Sequence, residues 1–324
     1  MARSLRAAIA VVASLIVTTA PGVLAAPSPT AGVVIVHTRL AYSDGLATGT
    51  GMVLTSSGTV LTNNHVIRGA GAIRITVPGS GRTYAATVAG YSVSKDIAVL
   101  KLRNATGLRM VETGNAGAVR VGDQVTAVGN GGGDGLATKR GRVTAVGESI
   151  TVSDGQGPLT LTGLIETTAP LERGDSGGPM LVGGRVIGLN AAAGFSFGER
   201  RQGYAIPINR ALKIAGQIEA GRRSSTVHVG PTAFLGVALA QGADADAAEG
   251  ALVDDVAPGT PAARAGIGSN DLITAFAGKR VRSAAALRNL VLQSSPGRLV
   301  RITWIDPVSG RVSATVRLAS GPPQ

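Results

Sequence analysis

Gly174-Asp175-Ser176-Gly177-Gly178-Pro179 is the stretch on which the reading of this chain turns. A serine hydroxyl becomes a useful nucleophile only when a base takes its proton and amide donors stabilise the resulting oxyanion. Glycines around the serine permit a tight backbone that aims the N–H groups of Gly174 and Ser176 at one developing negative charge. The base must be histidine, and the chain holds 3: His37, His65 and His228. His65 lies in Leu61-Thr62-Asn63-Asn64-His65-Val66-Ile67, where an apolar run gives way to polar residues, as expected of a side chain presented at a strand end. His37 falls inside a strand-like run and His228 in a segment without apolar pattern. The carboxylate that orients an imidazole is best supplied by Asp96, which opens the apolar strand of Lys95-Asp96-Ile97-Ala98-Val99-Leu100. Asp44, Asp123 and Asp134 fall in turn-like segments.

Outward from these motifs, short β-branched runs alternate with Gly-rich turns: Val33 to Thr38, Gly51 to Thr55, Ile73 to Val77, Ile97 to Leu102, Gln124 to Val128 and Val186 to Asn190. Such spacing predicts an all-β barrel or sandwich. Pro207 to Ala220 changes period: Ile208, Leu212, Ala215 and Ile218 recur at helical spacing after a proline suited to a first turn. That helix closes a first domain, residues 31–220. Gly221 to Pro231 has Gly and Pro punctuation and is expected to be a linker. A second domain, residues 232–320, shows strand signals at Phe234 to Leu239, Ala251 to Val256, Leu299 to Ile305 and Val312 to Leu318, with a helix from Ser283 to Gln293.

The composition bounds the chemistry. The 324 residues suffice for about two domains, and a hydrophobic share of 44% gives each a core. With 47 glycines and 3% aromatics, small aliphatic side chains and tight turns do most of the packing. The absence of cysteine excludes disulfides, thiolate metal sites and a cysteine nucleophile. A net charge of +12 is carried mostly by scattered Arg without a Lys/Arg run, so a basic surface is expected rather than specific nucleic-acid binding. Residues 1–26 read as a signal peptide: Arg3 and Arg6 precede the apolar Ala7 to Val17, then Pro21 and a cleavage zone at Ala25 or Ala26. The apolar core is shorter than the about 20 residues a spanning helix needs. Export to the cell envelope or outside the cell follows.

T-N-N-H-V around His65, D-I-A-V-L from Asp96 and G-D-S-G-G-P around Ser176, in that order, resemble the trypsin-like serine proteases, in particular their HtrA/Deg branch. Gly49-Thr50-Gly51, Gly129-Asn130-Gly131 and Gly203-Tyr204-Ala205-Ile206-Pro207 stand at matching places, and secreted actinobacterial members look closest. The resemblance implies a mainly β fold of two perpendicular barrels with the triad His65, Asp96 and Ser176 in the cleft between them, followed by a small α+β module. It implies an endopeptidase with no metal or organic cofactor. Pro170 would lie at the base of the primary specificity pocket, walled by Leu189, Asn190, Ala191 and Ala192, so an uncharged small to medium aliphatic residue is expected before the cut. A purely binding role, as a chaperone or adaptor, and ester hydrolysis by the same triad are the competing readings.

Phe234-Leu235-Gly236-Val237 resembles the carboxylate-binding loop of PDZ domains, and Pro261 to Ile267 followed by Asp271-Leu272-Ile273 resembles their core signature. The implied partner is a peptide C-terminus that pairs with the strand from Val237, gives its carboxylate to the amides of Leu235, Gly236 and Val237, and lies along a helix bearing Leu287 and Leu290. Two departures stand out. HtrA relatives usually carry Asn where this chain has Asp175, and zymogen-activated enzymes, which carry Asp, satisfy it with a new amino terminus. No cleavage site of that type is evident, so local donors are expected to satisfy Asp175. The segment before the first strand is short, which leaves assembly into a trimer open.

Overall fold

The computed structural model describes residues 28–42, 44–153, 158–197, 200–241 and 249–324. The expected signal peptide lies outside them. Strands β1 (Val33–Leu40), β2 (Leu46–Val53), β3 (Thr59–Thr62), β4 (Ala70–Val77), β5 (Arg82–Ser92) and β6 (Ile97–Leu102) pair antiparallel in the order β5-β4-β1-β2-β3-β6, and β5 also pairs β6, which closes a barrel. The expected runs Val33 to Thr38 and Ile73 to Val77 fall within β1 and β4, Gly51 to Thr55 overruns β2, which ends at Val53, and Ile97–Leu102 is bounded as expected and buried apart from Lys101. A short helix α1 (Asn64–Ile67) follows β3.

Strands β7 (Gln124–Gly129), β8 (Ala137–Ser153), β9 (Pro158–Thr167), β10 (Pro179–Val182), β11 (Arg185–Phe197) and β12 (Arg200–Pro207) form a second closed barrel in the order β10-β11-β12-β9-β8-β7. Helix α2 (Ile208–Glu219) starts directly after Pro207. Its buried face of Ile208, Ala211, Ile214, Ala215 and Ile218 joins one cluster with Met52, Leu61, Ile97 and Val99 of the first barrel and Leu164, Val186, Leu189 and Ile206 of the second. Removing this apolar surface from water, at about 25 cal/mol per Å², fastens the two barrels to each other and fixes the cleft between them.

The second module is a sheet of strands Val237–Leu239, Ala251–Val256, Leu272–Phe276, Leu299–Asp306 and Gly310–Arg317 in that order, with helices Pro261–Ala265 and Ala284–Leu292. Trp304, Phe276, Ile273 and Leu287 are among the buried residues of its separate core. Thr260 caps the first helix through its hydroxyl, with Pro261 at the first turn and Gly266 in the left-handed region at the end. Ser283 caps the second.

The structure differs from the sequence expectation at the junction. The segment expected as a linker is docked: Val227 is 3% and His228 7% exposed, and His228–Val229 pairs antiparallel with Tyr91 and Gly90 of β5. The expected strand Phe234 to Leu239 is broken at Gly236, giving Thr232–Phe234, which pairs Ala319–Gly321, and Val237–Leu239. The buried Tyr91 hydroxyl bonds Thr232 Oγ1 at 3.0 Å and accepts the Gln324 amide at 3.3 Å, while Asn64 Nδ2 donates to the Gln324 carbonyl at 2.9 Å. A buried hydroxyl that loses its partner costs about 1–3 kcal/mol. Tyr91→Phe is therefore expected to lower the urea midpoint by that free energy at unchanged m; no shift would show that these bonds carry none of the docking.

Candidate active site

His65 is the second residue of α1, three residues beyond the end of β3, rather than at a bare strand end. Its ring Nδ1 lies 2.8 Å from Asp96 Oδ2, and its backbone N–H donates to Asp96 Oδ1 at 2.9 Å. Asp96 is 1% exposed, in the turn that leads into β6, with φ +52. That left-handed conformation costs about 1–3 kcal/mol for a residue with a Cβ. It is held by Asn63 Nδ2, which donates to the Asp96 carbonyl at 2.8 Å, and by the Asp96 amide, which donates to Val93 O at 3.1 Å. Both carboxylate oxygens are thus committed to His65, which fixes the imidazole's direction. The ring itself is 31% exposed, so it can meet a substrate.

Ser176 enters from the second barrel, on the loop between β9 and β10. Its carbonyl accepts the Thr50 amide at 2.8 Å, and the Thr50 hydroxyl donates to Gly174 O at 2.7 Å. A Cβ on Gly49 would touch both the Val66 side chain, next to His65, and the Ser176 carbonyl, so the two motifs meet at this glycine. Gly177, at φ +87, leaves no room for a side chain: its Cβ would stand 2.0 Å from Thr50 O and 2.3 Å from Thr62 Oγ1. Gly177 is required by close approach of the loop to β2 and β3, and Gly178 by the Val128 carbonyl of β7, 2.0 Å from where its Cβ would stand.

The backbone from Glu172 to Asp175 forms a turn closed by Asp175 N–H to Glu172 O at 3.0 Å, with Gly174 at φ +101 in its third position. This is the signature of a type II turn, which asks for glycine there. A Cβ on Gly174 would also stand 2.3 Å from Asn130 O. Among the described residues neither the Gly174 nor the Ser176 amide has an intramolecular acceptor. The loop from Gly129 to Gly135, expected to lie near the site, does so: Asn130 N donates to Thr50 Oγ1 at 2.9 Å and Gly131 N to Asp175 Oδ1 at 2.9 Å.

Asp175 is 1% exposed and satisfied by local donors, as its burial demands. Besides Gly131, these are Glu172 N–H at 2.8 Å and Lys139 Nζ at 2.6 Å. Lys139 went unnoticed in the sequence, where one lysine in Ala137-Thr138-Lys139-Arg140 carries no signal.

Of the expected pocket residues, Pro170 is exposed, whereas Leu189 and Asn190 are 0% and Ala191 5% exposed. Leu189 packs in the core shared by the barrels. Asn190 pairs with the loop that carries Ser176: its carbonyl accepts Gly177 N–H at 2.9 Å, its backbone amide donates to Gly178 O at 2.8 Å, and Nδ2 reaches Val128 O at 3.2 Å. The Ala192 side chain falls outside the described ones, although its backbone pairs with Tyr204 in β11 and β12.

In the second module, Gly236 has φ +94, and a Cβ there would stand 2.2 Å from Thr260 Cβ. Ala262 N–H donates to Leu235 O and Ala257 N–H to Gly236 O. The amides of Leu235 and Gly236, both buried residues, have no intramolecular acceptor among the described residues. The strand Val237–Leu239 ends its sheet, so one of its edges is unpaired there. Leu287 is 1% exposed and belongs to the core, while Leu290 is half-buried against it.

The sequence matches the family of the trypsin-like peptidase domain over residues 49–189 and that of the PDZ domain over residues 233–305. It is 35% identical over 261 residues to the periplasmic pH-dependent serine endoprotease DegQ of Escherichia coli, covering 78% of this chain and 55% of that protein. It is 36% identical over 259 residues to a probable periplasmic serine endoprotease, DegP-like, of Chlamydia pneumoniae, covering 76% of this chain and 50% of that one. The chain thus spans about half the length of these curated relatives. The solved structure of the HtrA-type protease AlgW with tripeptide aligns at TM-score 0.53 and 27% identity over 92% of this chain and 99% of that chain. In fold and domain order the chain resembles the HtrA/DegP proteins, with a trypsin-like peptidase domain followed by a PDZ domain.

Proposed function

We propose that this chain is an exported serine endopeptidase that cuts unfolded or misfolded proteins through an acyl-enzyme, with His65, Asp96 and Ser176 as its triad. The observation that carries the reading is the His65 Nδ1 to Asp96 Oδ2 bond of 2.8 Å beside a nucleophile loop whose Gly174 and Ser176 amides are unspent among the described residues. In this reading Ser176 Oγ attacks the scissile carbonyl carbon as His65 Nε2 takes its proton. Asp96 holds the tautomer and stabilises the imidazolium, and the oxyanion accepts from the Gly174 and Ser176 amides. Collapse breaks the C–N bond, and His65 returns the proton to the leaving amine. Water then repeats the sequence on the ester and frees Ser176.

The surroundings favour a protein substrate cut after an uncharged residue of small to medium size. No carboxylate stands at Pro170, and Ala191 and Ala192 are small and uncharged, while Leu189 is spent in the core. A hydrophobic pocket separates neighbours differing by one methylene by only about 10–200-fold, so a broad preference is expected. In the PDZ module a peptide C-terminus is proposed to pair with Val237–Leu239 and to place its carboxylate on the amides of Leu235, Gly236 and Val237. Domain limits of 31–220 and 232–320, cleavage of residues 1–26 on export, and closeness to secreted actinobacterial members belong to the same proposal. The periplasmic location of the relatives supports export.

Unfolded β-casein incubated with residues 27–324 is expected to be cut after small aliphatic residues, read by mass spectrometry. Ser176→Ala should lose on the order of 10⁶-fold in rate. If wild type and variant are equally inert even with C-terminal peptides supplied, the chaperone or adaptor reading replaces this one. Gly174→Ala, strained at φ +101 and pressed against Asn130 O, should lose about 10²–10³-fold in kcat, the worth of one oxyanion donor.

Peptide capture is tested on the Ser176→Ala protein by fluorescence anisotropy. Amidating the peptide's terminal carboxylate should weaken binding by about 10-fold or more, the loss of charge-assisted hydrogen bonds. Equal binding of acid and amide would remove the carboxylate from the recognition.

A further inference from the structure

The acyl-transfer steps leave one buried charge beside the nucleophile without a role. Asp175 directly precedes Ser176, is 1% exposed, and is carried by the same turn that presents the Gly174 amide. An uncompensated carboxylate at such a depth costs several kcal/mol and drives the backbone to carry it toward water. Here the compensating cation comes from the barrel wall. Lys139 lies in β8, its Cα held opposite Ala127 of β7, and its side chain is 14% exposed. The ammonium reaches Asp175 Oδ2 at 2.6 Å and Glu172 Oε2 at 3.0 Å. These two carboxylates belong to the first and last residues of the turn, so one cation on a rigid strand ties both of its ends. Gly131 N–H, which takes the other Asp175 oxygen, comes from the loop whose Asn130 carbonyl abuts Gly174.

We propose that Lys139 is a positioning residue for peptide hydrolysis: by pairing with Asp175 and Glu172 it holds the turn that aims the Gly174 amide at the oxyanion, so that the chain carries its activating cation within the barrel and needs no new amino terminus made by a cut. The inference rests on the endopeptidase reading above. Without the ammonium, Asp175 is left as a buried lone charge against two amides, and the turn gains by swinging it outward, which turns the Gly174 N–H away from the cleft. Burial by itself lowers the lysine pKa, but the hydrogen bonds to Asp175 and then Glu172 outweigh it and raise the value above that of a free lysine. A raised folded value means that the lysine's own contribution is complete below the ordinary lysine pKa, about 10.4, and is lost only as pH rises through the folded one. The lysine therefore keeps its charge over the pH range in which a histidine base titrates.

The test uses residues 27–324 as wild type, Lys139→Met, Lys139→Arg and the double variant Lys139→Met with Asp175→Asn, with Ser176→Ala as the blank. A chromogenic peptide gives kcat and KM, and a peptide boronic acid reports affinity for the tetrahedral state. Lys139→Met is expected to lower kcat and boronate affinity together by about 10²–10³-fold, as for loss of one oxyanion donor, with KM within a few-fold. Lys139→Arg should keep most activity. The double variant, in which a neutral amide replaces the Asp175 carboxylate and needs no cation, should recover at least tenfold over Lys139→Met. Wild type that shows full activity at intact mass agrees with the inference. It is overturned if Lys139→Met is as active as wild type, if its loss falls on KM alone, if the double variant is no better, or if wild type acts only after an internal cut. Should wild type not exceed Ser176→Ala at all, the endopeptidase reading itself falls, and this one with it, which is a different pattern from an active wild type with an unaffected Lys139→Met.

Discussion

Thr50 uses every polar atom it has. Its amide donates to Ser176 O, its carbonyl accepts the Thr62 hydroxyl, and its own hydroxyl donates to Gly174 O while accepting Asn130 N–H. The residue is 0% exposed. In such a setting each unmade bond carries its full desolvation cost, whereas a satisfied set defines one geometry. Thr50 is therefore the point at which the strand pairing of the first barrel, which places His65, is transferred to the loop of the second, which places Ser176. Its neighbours explain the spacing: a Cβ on Gly49 would collide with Val66, and one on Gly51 with Val60. Glycine at 51 makes room for valines inside the first barrel, and glycine at 49 for Val66 and for the Ser176 carbonyl of the loop that lies on it.

Much of this was legible in the sequence because it is written as period and motif. Ile97–Leu102 and Ala251–Val256 appear with the limits that alternation predicts, and α2 and the helix Ala284–Leu292 within a residue or so at each end. The two helices bury one face at helical spacing, and Ile97–Leu102 is a continuous apolar run buried on both faces, cases in which hydrophobic pattern speaks plainly. The family resemblance carried by the His65, Asp96 and Ser176 motifs likewise implied two barrels.

What stayed hidden depends on contacts distant along the chain. Lys139 is one basic residue in an exposed-looking strand, and only the return of the Asp175 loop 36 positions later makes it a partner. Asn190, expected as pocket wall from its neighbours, has its side chain buried with Nδ2 toward Val128 O, while its backbone pairs with Gly177 and Gly178 of the Ser176 loop. The docking of residues 227–229 is equally silent: Gly221 to Pro231 has loop composition, and its strand pairing exists only because β5 offers an open edge at Gly90 and Tyr91. Asp96 in the left-handed region has no sequence signature either, since the conformation is imposed by its bonds to Asn63, His65 and Val93.

The docked junction bears on how the two modules communicate. His228 stands between them, its ring 4.9 Å from that of Tyr91 and its nitrogens toward Leu292 O and Gly230 O. Burial, aided by nearby Arg223, lowers its pKa below that of a free histidine. In the unfolded chain the imidazole then binds a proton more readily, so its share of stability is present above about pH 6.5, the free value, and declines as pH falls toward the folded one. Tyr42 stacks on Phe234 from the other side at 5.0 Å. Asn64, adjacent to His65, is tied through Gln324 to Tyr91 and from there to Thr232 at the entrance of the PDZ module. A peptide seated on Leu235 and Gly236 would load a segment that continues directly into this network. Coupling still requires that the network have two arrangements with different affinity for the peptide, because a ligand that favours neither state shifts nothing. The bonds of Tyr91 and Asn64 are where such a difference in energy would have to reside.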